Sequence, residues 1–313
     1  MSPTSRRQLL AAGAGLLGSR LLPAQQPETN EKSLPVRTLG KTGRKVPALG
    51  LGCYPLGRLA DEDLALNVIH LAWESGARYF DTAPSYNRGR SESRLGKALG
   101  RYPRQELFLA TKTLERSASG ALKELDQSLK RLQMEYVDSV QVHEVRSAED
   151  VEALLAKDGV LAGLERARKE GKIRHIGLTC HRDPKFALLA IERYPFATAL
   201  VPVNPLDCHH LSFTQGFVAK AAAKGVAVIA MKVYAGGALP KAKPEIAAGD
   251  LLAFALNQPG VTVAVPGADS LEFWRQARQA AVRTALSPER QKQLIAASGP
   301  HHGKSSEWYK NSS

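Results

Sequence analysis

The 313-residue chain has few of the cysteines that stabilise small secreted domains and few of the aromatic residues that nucleic-acid-binding proteins place beside basic ones. It contains three cysteines, Cys53, Cys180 and Cys208, which are too few and odd in number for a disulfide framework. Aromatic residues make up only 6%, and the lysines and arginines behind its formal net charge of +13 are scattered along the chain. These scarcities argue against a disulfide-stapled domain and against a nucleic-acid-binding protein.

Several functional motifs are also missing. After the N-terminal 30 residues, no apolar run approaches the roughly eighteen residues of a membrane-spanning helix. G-x-S-x-G is absent, so no serine nucleophile elbow is indicated. Cys180-His181 and Cys208-His209-His210 follow predicted strands and could converge on a metal ion. Because C-x-x-C and similar close-spaced ligand pairs are absent, we predict no metal site.

The N-terminal stretch "TSRRQLLAAGAGLLGSRLLPAQQ" has the composition of an export signal. Arg6 and Arg7 precede an apolar stretch over residues 9–17 and a polar segment with a proline, as in a twin-arginine signal. Residues 1–30 are therefore predicted to engage the twin-arginine translocation machinery, giving a periplasmic or otherwise exported protein. Because Arg20 interrupts the segment, a disordered tail on a cytoplasmic protein is the alternative.

From Val36 onward, strand-like and helical segments alternate. "VRTLGKTGRKVPALGLG" predicts a hairpin turning at residues 41–43, followed by a buried strand over residues 48–52. Asp61 is a predicted N-cap for a helix that runs to about Ser75. Seven more strands are predicted in "ARYFDTA", "LFLATK", "VDSVQVH", "HIGLTC", "ALVPVN", "VAVIAMK" and "VTVAVP". Helical spacing between them includes residues 120–132, 148–170, 213–224 and 246–257.

This alternation predicts an α/β fold. Eight short strands with intervening helices imply right-handed crossovers and a parallel sheet, and their number and length match a closed (β/α)8 TIM barrel. Residues 31–313 are predicted to form that single domain, with the hairpin capping the end where strands begin and a helical C-terminal tail. A doubly wound open sheet is the alternative, disfavoured because "LGLGCYPLG" lacks the three-glycine fingerprint.

Ionisable residues end three successive predicted strands. Asp81, Lys112 and His143 are separated by 31 residues each (112 − 81 and 143 − 112), about one β-α unit, and Tyr86 lies in the loop after Asp81. The carboxyl ends of barrel strands converge at one rim, where the active sites of such barrels lie. The spacing therefore predicts an acid-base cluster, although a purely structural Asp81–Lys112 ion pair is the alternative.

The chemistry of these groups suggests proton donation to an oxygen. A lysine ammonium beside Tyr86 is expected to lower the tyrosine's pKa, and the Asp81 carboxylate is expected to keep Lys112 charged at a water-poor rim. A neutral His143 can donate an N–H to a carbonyl oxygen and orient it. No nucleophile with a base beside it is indicated.

The segments "FDTAPSYNRGRSESRLGKAL", "FLATKT", "VDSVQVHEV", "ERARKEGKIRHIGLTCHRDP" and "VTVAVPGADS" resemble the aldo-keto reductase family. The resemblance extends from about Val36 to at least Ala280. It implies a β/α barrel, NADP(H) bound without a Rossmann fold, and reversible reduction of aldehydes or ketones. It also implies that Asp81, Tyr86, Lys112 and His143 form the catalytic tetrad.

The same resemblance implies a set of cofactor contacts, with several departures. Leu200 or Val201 stands where a glutamine is common, Met231 and Lys232 stand where an aromatic residue often stacks on the nicotinamide, and Ala277 falls near an asparagine position. NAD(H) is therefore the alternative cofactor, and Arg278 is the alternative to Arg275 for the adenosine phosphate. The expected contacts are Gly52, Cys53, Tyr54, Asp81, Thr179, Cys180, Met231, Lys232, Pro266, Gly267 and Arg275.

Two functions follow. The first is an NADP(H)-dependent oxidoreductase that reduces a small carbonyl substrate, with Tyr86 as general acid. The second is a non-catalytic barrel that binds or senses a nicotinamide nucleotide. The substrate is not identified by the sequence, because loops 144–150, 208–213 and 234–244 carry no recognisable signature.

Overall fold

The strands and helices alternate along the described part of the chain, residues 33–283, 285–303 and 305–311 of a computed structural model. The predicted export signal, residues 1–30, lies outside the described residues. The strands are β1 (Val36–Thr38), β2 (Lys45–Pro47), β3 (Leu51–Gly52), β4 (Tyr79–Asp81), β5 (Phe108–Thr113), β6 (Val137–Val142), β7 (Ile173–Thr179), β8 (Thr198–Pro202), β9 (Ala227–Met231) and β10 (Val261–Ala264).

The α-helices lie mainly between the strands. They are α1 (Tyr54–Arg58), α2 (Glu62–Glu74), α3 (Arg90–Leu99), α4 (Ala118–Leu132), α5 (Ala148–Leu155), α6 (Val160–Lys169), α7 (Pro184–Arg193), α8 (Phe213–Gly216), α9 (Val218–Ala223), α10 (Ala238–Ala242), α11 (Ala248–Asn257), α12 (Leu271–Val282), α13 (Pro288–Ser298) and α14 (Trp308–Asn311). Short 3-10 helices lie at Gly40–Thr42, Arg104–Glu106, Leu206–His209, Ala235–Gly237 and Gly299–His301. A helix long and apolar enough to cross a membrane does not occur among the described residues.

Strands β3 to β10 form one parallel sheet in chain order. The sheet closes on itself because the segment around β3 pairs with the segment around β10, through the bridges Leu49↔Ala264 and Gly52↔Gly267. The backbone N–H of Gly52 donates to the carbonyl of Pro266 at 2.9 Å across this seam. The predicted (β/α)8 barrel is confirmed.

The N-terminal hairpin covers the end of the barrel where strands begin, as predicted. Strands β1 and β2 pair antiparallel. Leu39 and Val46, both buried, pack in one apolar cluster with Tyr79 and Phe108, which are the first residues of β4 and β5. The turn is a 3-10 helix followed by Gly43 at φ 71°, a left-handed conformation that glycine adopts readily.

Side-chain caps mark the starts of helices α2 and α4. The Asp61 side chain accepts a hydrogen bond from the N–H of Leu64, so it caps α2 as expected, and the helix gives way to Ser75. Ser117 caps α4 in the same way, three residues before the predicted start of that helix.

Two predicted helices are wrong as continuous elements. Residues 148–170 form α5 and α6, with a break at residues 156–159. The N–H of Ala118 donates to the carbonyl of Asp158, and the N–H of Val160 donates to the carbonyl of Arg116, so this break is paired with the segment before α4. Residues 213–224 are likewise divided at Phe217, whose φ/ψ of −116°/−47° departs from ideal helix geometry. Helical spacing alone does not reveal such tertiary pairing.

Candidate active site

Asp81, Lys112 and the residue before His143 lie at the carboxyl ends of three neighbouring strands. Asp81 pairs with Ala110 in the ladder between β4 and β5, while Lys112 pairs with Gln141 in the ladder between β5 and β6. Lys112 therefore lies two residues beyond Ala110, the partner of Asp81. His143 in turn lies two residues beyond Gln141, the partner of Lys112. Because side chains alternate every second residue, a two-residue shift keeps all of them on the same face of the sheet.

Asp81 and Lys112 form a buried ion pair. Their exposed fractions are 3% and 2%, and the Lys112 ammonium donates directly to Asp81 Oδ1. Lys112 Nζ also donates to the carbonyl of Thr82 at 2.7 Å. The second carboxylate oxygen of Asp81 accepts from Gln141 Nε2 at 2.7 Å. Gln141 thus completes the hydrogen bonding of the carboxylate, and sequence reasoning missed it although it lies two residues before His143.

Tyr86 lies over this pair at the rim of the barrel. The Lys112 ammonium is 4.7 Å from the centroid of its ring. The rings of Tyr54 and His143 contact the Tyr86 ring edge-on, with centroid separations of 5.1 Å and 6.2 Å. Asp81, Tyr86, Lys112 and His143 therefore share one site, as the 31-residue spacing predicted.

The pKa values of the lysine and the tyrosine depend on each other. Burial pulls the pKa of Lys112 down, but the charges of Asp81 and Tyr86 outweigh burial and raise it above its ordinary value. Burial raises the pKa of Tyr86, Lys112 opposes the rise, and Asp81 adds to it. The expected lowering by Lys112 is present as one contribution, but the net shift has the opposite sign, because burial dominates and Asp81 offsets the lysine's charge.

His143 is buried and neutral. Burial lowers its pKa well below the usual range, and the charge of Lys112 adds to that effect. Its backbone N–H donates to the carbonyl of Thr113 at 2.8 Å, while its Nδ1 has no hydrogen-bond partner among the described residues. A neutral imidazole carries one ring N–H, which can donate to a bound oxygen.

Two further residues near His143 were not predicted as site residues. Glu144 is held at φ 58°, and its N–H donates to Thr179 Oγ1 at 2.8 Å. The ring of His181 lies 6.2 Å from that of His143, and burial, with the charge of Lys232 next, lowers its pKa to about 3. Both lie two residues after the last residue of a strand, and that position was the available signal.

His143, Glu144 and His181 also gather potential metal ligands. One ligand atom of each lies within 4.8 Å of the other two. Lys112 acts electrostatically on both histidines, Lys232 acts on His181, and Arg146 is paired with Glu144. Positive charges on several sides oppose a divalent cation here.

The expected cofactor positions around the first strand lie at the barrel seam. Gly52 and Gly267 bridge β3 to the segment after β10, where Pro266 accepts the N–H of Gly52. Tyr54 is 49% exposed beside Tyr86. The Cys53 side chain is fully buried, and its thiol donates to the carbonyl of Leu51 at 3.3 Å.

Thr179 and Cys180, at the end of β7, are fully buried. Thr179 Oγ1 accepts the N–H of Glu144. The Cys180 thiol donates to the carbonyls of Val145 at 3.1 Å and Asp183 at 3.4 Å, and burial raises its pKa to about 12. Both side chains are therefore engaged in shaping the adjacent loops.

Met231 and Lys232 end β9 at the same rim. Met231 is 7% exposed and belongs to the interior apolar cluster. Lys232 has a left-handed backbone, with φ 53°, and its carbonyl accepts from Asn204 Nδ2 at 2.9 Å.

The two arginines predicted for the adenosine phosphate lie apart from the rim cluster. Arg275 is exposed on α12 and is 4.0 Å from Glu272. Arg278 donates to the carbonyl of Ser75, which ends α2. A cavity of about 420 Å³ lies instead beside α11 and α12, lined among others by Tyr234, Asp250, Phe273, Gln276 and Arg283.

The C-terminal tail contributes aromatic side chains to this end of the barrel. Trp308 is 53% exposed and Tyr309 is buried, and both rings face the ammonium of Lys232. Lys310 anchors the tail: its ammonium is 2.8 Å from Asp207 Oδ1 and 2.7 Å from Glu307 Oε1, and all three residues are buried.

Comparisons with known proteins identify the family of this chain. The model of the "Aldo/keto reductase family" matches residues 48–251. L-galactose dehydrogenase of Arabidopsis thaliana is 31% identical over 228 residues, covering 67% of this chain and 68% of that protein.

Two solved structures show the same architecture. The holo form of aldo-keto reductase AKR11C1 from Bacillus halodurans superposes with a TM-score of 0.70 at 25% identity, covering 85% of this chain and 96% of that one. An aldo/keto reductase from Klebsiella pneumoniae in complex with NADP and acetate gives 0.69 at 25% identity, covering 83% and 94%. With the family model spanning most of the barrel, the chain belongs to the aldo/keto reductase family of oxidoreductases.

Proposed function

We propose that the protein reduces an aldehyde or ketone to an alcohol with NADP(H), and that Tyr86 is the general acid. The observation that carries this proposal is the buried Asp81–Lys112 pair directly beneath the ring of Tyr86, with a neutral His143 on the other side. The Klebsiella pneumoniae relative with bound NADP supports the choice of cofactor.

The residues present fit a nicotinamide dinucleotide. Gly237, with φ 88°, has nothing within 4 Å of the position that a Cβ would occupy, so the loop after β9 leaves open space at the rim. The cavity beside α12 offers the rings of Tyr234 and Phe273, the amide of Gln276 and the guanidinium of Arg283. The lining also includes Gln279, and flat aromatic faces with amides and a cation suit an adenosine phosphate.

The remaining chemistry is that of the chain's own residues. The bound nicotinamide would supply a hydride to the carbonyl carbon. Tyr86, protonated at neutral pH because its pKa is raised, gives its proton to the carbonyl oxygen as negative charge develops there. Lys112 stabilises the tyrosinate that remains, and Asp81 keeps Lys112 charged. His143 donates a hydrogen bond that orients the same oxygen, and reversal of these steps oxidises the alcohol.

A direct test is carbonyl-dependent NADPH oxidation by the purified protein over a panel of aldehydes and ketones. Tyr86→Phe is expected to lower kcat by about 10²- to 10⁴-fold, because it removes the proton donor. Tyr136→Phe is the matched control, since that tyrosine packs between Arg104 and Arg174 outside the site. An undiminished rate in Tyr86→Phe, or tight nucleotide binding without turnover across the panel, would overturn the proposal.

We also propose that residues 1–30 export the protein in a folded state. The support is the Arg6-Arg7 pair ahead of an apolar stretch. Fused to a folded reporter, residues 1–35 are expected to direct it across the membrane, and Arg6→Lys/Arg7→Lys is expected to abolish that transport. A reporter that stays in the cytoplasm with the native segment would establish the cytoplasmic alternative.

A further inference from the structure

Lys232 occupies a position at the rim of the barrel that its backbone fixes. It follows β9 directly, where the carboxyl ends of the strands converge. A non-glycine residue at φ 53° is uncommon, and the hydrogen bond from Asn204 to its carbonyl holds that conformation. The backbone conformation of Lys232 is therefore fixed, and it sets the direction in which the side chain leaves the loop.

The Lys232 ammonium is partly buried and has no carboxylate partner. Over the part of the chain that the structure describes, no Asp or Glu oxygen lies within 4.0 Å of it and it makes no hydrogen bond. Its contacts are aromatic, with the ring centroids of Trp308 at 4.7 Å and Tyr309 at 5.8 Å. A partly buried ammonium without an anion is unfavourable, and a bound anion would relieve this.

The neighbouring charges are already paired. Lys112 is bound to Asp81, Arg146 to Glu144, and Arg116 to Asp150. His143 and His181 are neutral, and Lys112 and Lys232 are among the causes of that neutrality. The Glu144 charge acts on Lys232 through space, but that carboxylate is bound to Arg146. Within the described ranges, the Lys232 ammonium is therefore a cation without a paired anion beside Asp81, Lys112 and His143.

We propose that Lys232 binds a carboxylate on the substrate, so that the enzyme's substrates are aldehydes or ketones that carry a carboxylate group apart from the reacting carbonyl. The inference rests on the proposed function. Trp308, with its ring half exposed beside the ammonium, supplies an apolar face for the part of the substrate that joins the two groups. A charge-assisted hydrogen bond from the ammonium would fix that end while His143 and Tyr86 hold the carbonyl.

The experiment compares 4-formylbenzoate with 4-formylbenzamide, which differ only in the charged group. For the wild type, kcat/KM is expected to favour the carboxylate by about tenfold, the size of one hydrogen bond to a charged group. In Lys232→Met the ratio is expected to fall to about one, and Lys232→Arg is expected to retain much of it. Lys224→Met is the matched control, because this exposed lysine lies just before β9 at the opposite end of the same strand.

Two binding measurements separate the possible failures. Benzoate and benzamide are titrated calorimetrically into the NADP⁺-loaded protein, and NADPH is titrated into the ligand-free protein. Tighter binding of benzoate that Lys232→Met abolishes supports the inference even if neither aldehyde is turned over, a result that would count only against the proposed function.

Two results would overturn the inference. The first is an equal preference for the two aldehydes together with equal binding of benzoate and benzamide. The second is a Lys232→Met variant that keeps the carboxylate preference but binds NADPH several-fold more weakly, because the ammonium would then serve the phosphates of the cofactor.

Discussion

Two lysines of this barrel are buried almost completely, yet their ammonium groups are used differently. Lys310 directs its ammonium at Asp207, at Glu307 and at the carbonyl of His210. Its charge is balanced by two buried carboxylates, and it donates a hydrogen bond to a backbone carbonyl. Lys310 thus has a structural role, in which it holds the C-terminal tail against the barrel.

Lys112 has a tyrosine as its third partner in place of a second carboxylate. It binds Asp81 and the carbonyl of Thr82, and its third side faces the ring of Tyr86. A buried ammonium with one carboxylate and one tyrosine can stabilise a tyrosinate when the tyrosine gives up its proton. The comparison teaches that a buried lysine becomes useful for chemistry when one of its partners can itself give up a proton.

The largest expected effect comes from removing the rim lysine. Lys112→Met is expected to lower kcat by about 10²- to 10⁴-fold, because the charge that stabilises the tyrosinate is gone. Stopped-flow or steady-state NADPH oxidation measures this. The double variant Asp81→Asn/Lys112→Met removes the stranded carboxylate as well, so it is expected to recover stability but not rate. Recovery of both would mean that the pair is only structural.

The next effect concerns the tail. Lys310→Met leaves the buried carboxylates of Asp207 and Glu307 without their cation, which is expected to lower the free energy of unfolding by about 3–5 kcal/mol. Urea denaturation followed by circular dichroism measures the loss. The kcat of the folded variant is expected to change far less than in Lys112→Met. A variant of normal stability with little activity would contradict the distinction between the two lysines.

A smaller effect is expected from pH. The pKa of His181 is about 3 in the folded protein against an ordinary value near 6.5, so the unfolded chain binds a proton that the folded chain does not between these values. The free energy of unfolding should therefore fall as the pH is lowered from about 6.5 toward 3.

Replacing this histidine isolates its share. His181→Gln is expected to reduce the slope of the free energy of unfolding against pH in that window by up to about 1.4 kcal/mol per pH unit, the value for one proton. Urea titrations at several pH values give the slope, with His302→Gln, in the exposed part of the tail, as control. An unaltered slope would show that His181 takes up its proton in the folded protein.

Part of the candidate site could be predicted from the sequence, because its ionisable residues stand at the ends of predicted strands. A strand that ends in an ionisable residue presents that residue at the rim of any parallel barrel, so Asp81, Lys112 and His143 could be grouped from their spacing alone. Gln141 could not be identified as the second partner of Asp81, because that contact depends on the stagger between strands β4 and β6.

Interactions between distant segments were beyond prediction. The division of residues 148–170 into two helices depends on pairing with the residues around Ser117. The place of Lys310 depends on a carboxylate 103 residues earlier, Asp207 (310 − 207 = 103). Neither of these long-range contacts alters the hydrophobic periodicity of the sequence around it.

The sequence by itself determined the alternation of strands and helices, the cap at Asp61, and the residue types at the strand ends, because each of these depends on neighbours within a few positions. Tertiary structure decided the sign of the pKa shift of Tyr86, the pairing of both buried lysines and the lone charge of Lys232. Those properties depend on burial and on charges brought together from separate strands and the tail, and only the closed barrel sets those distances.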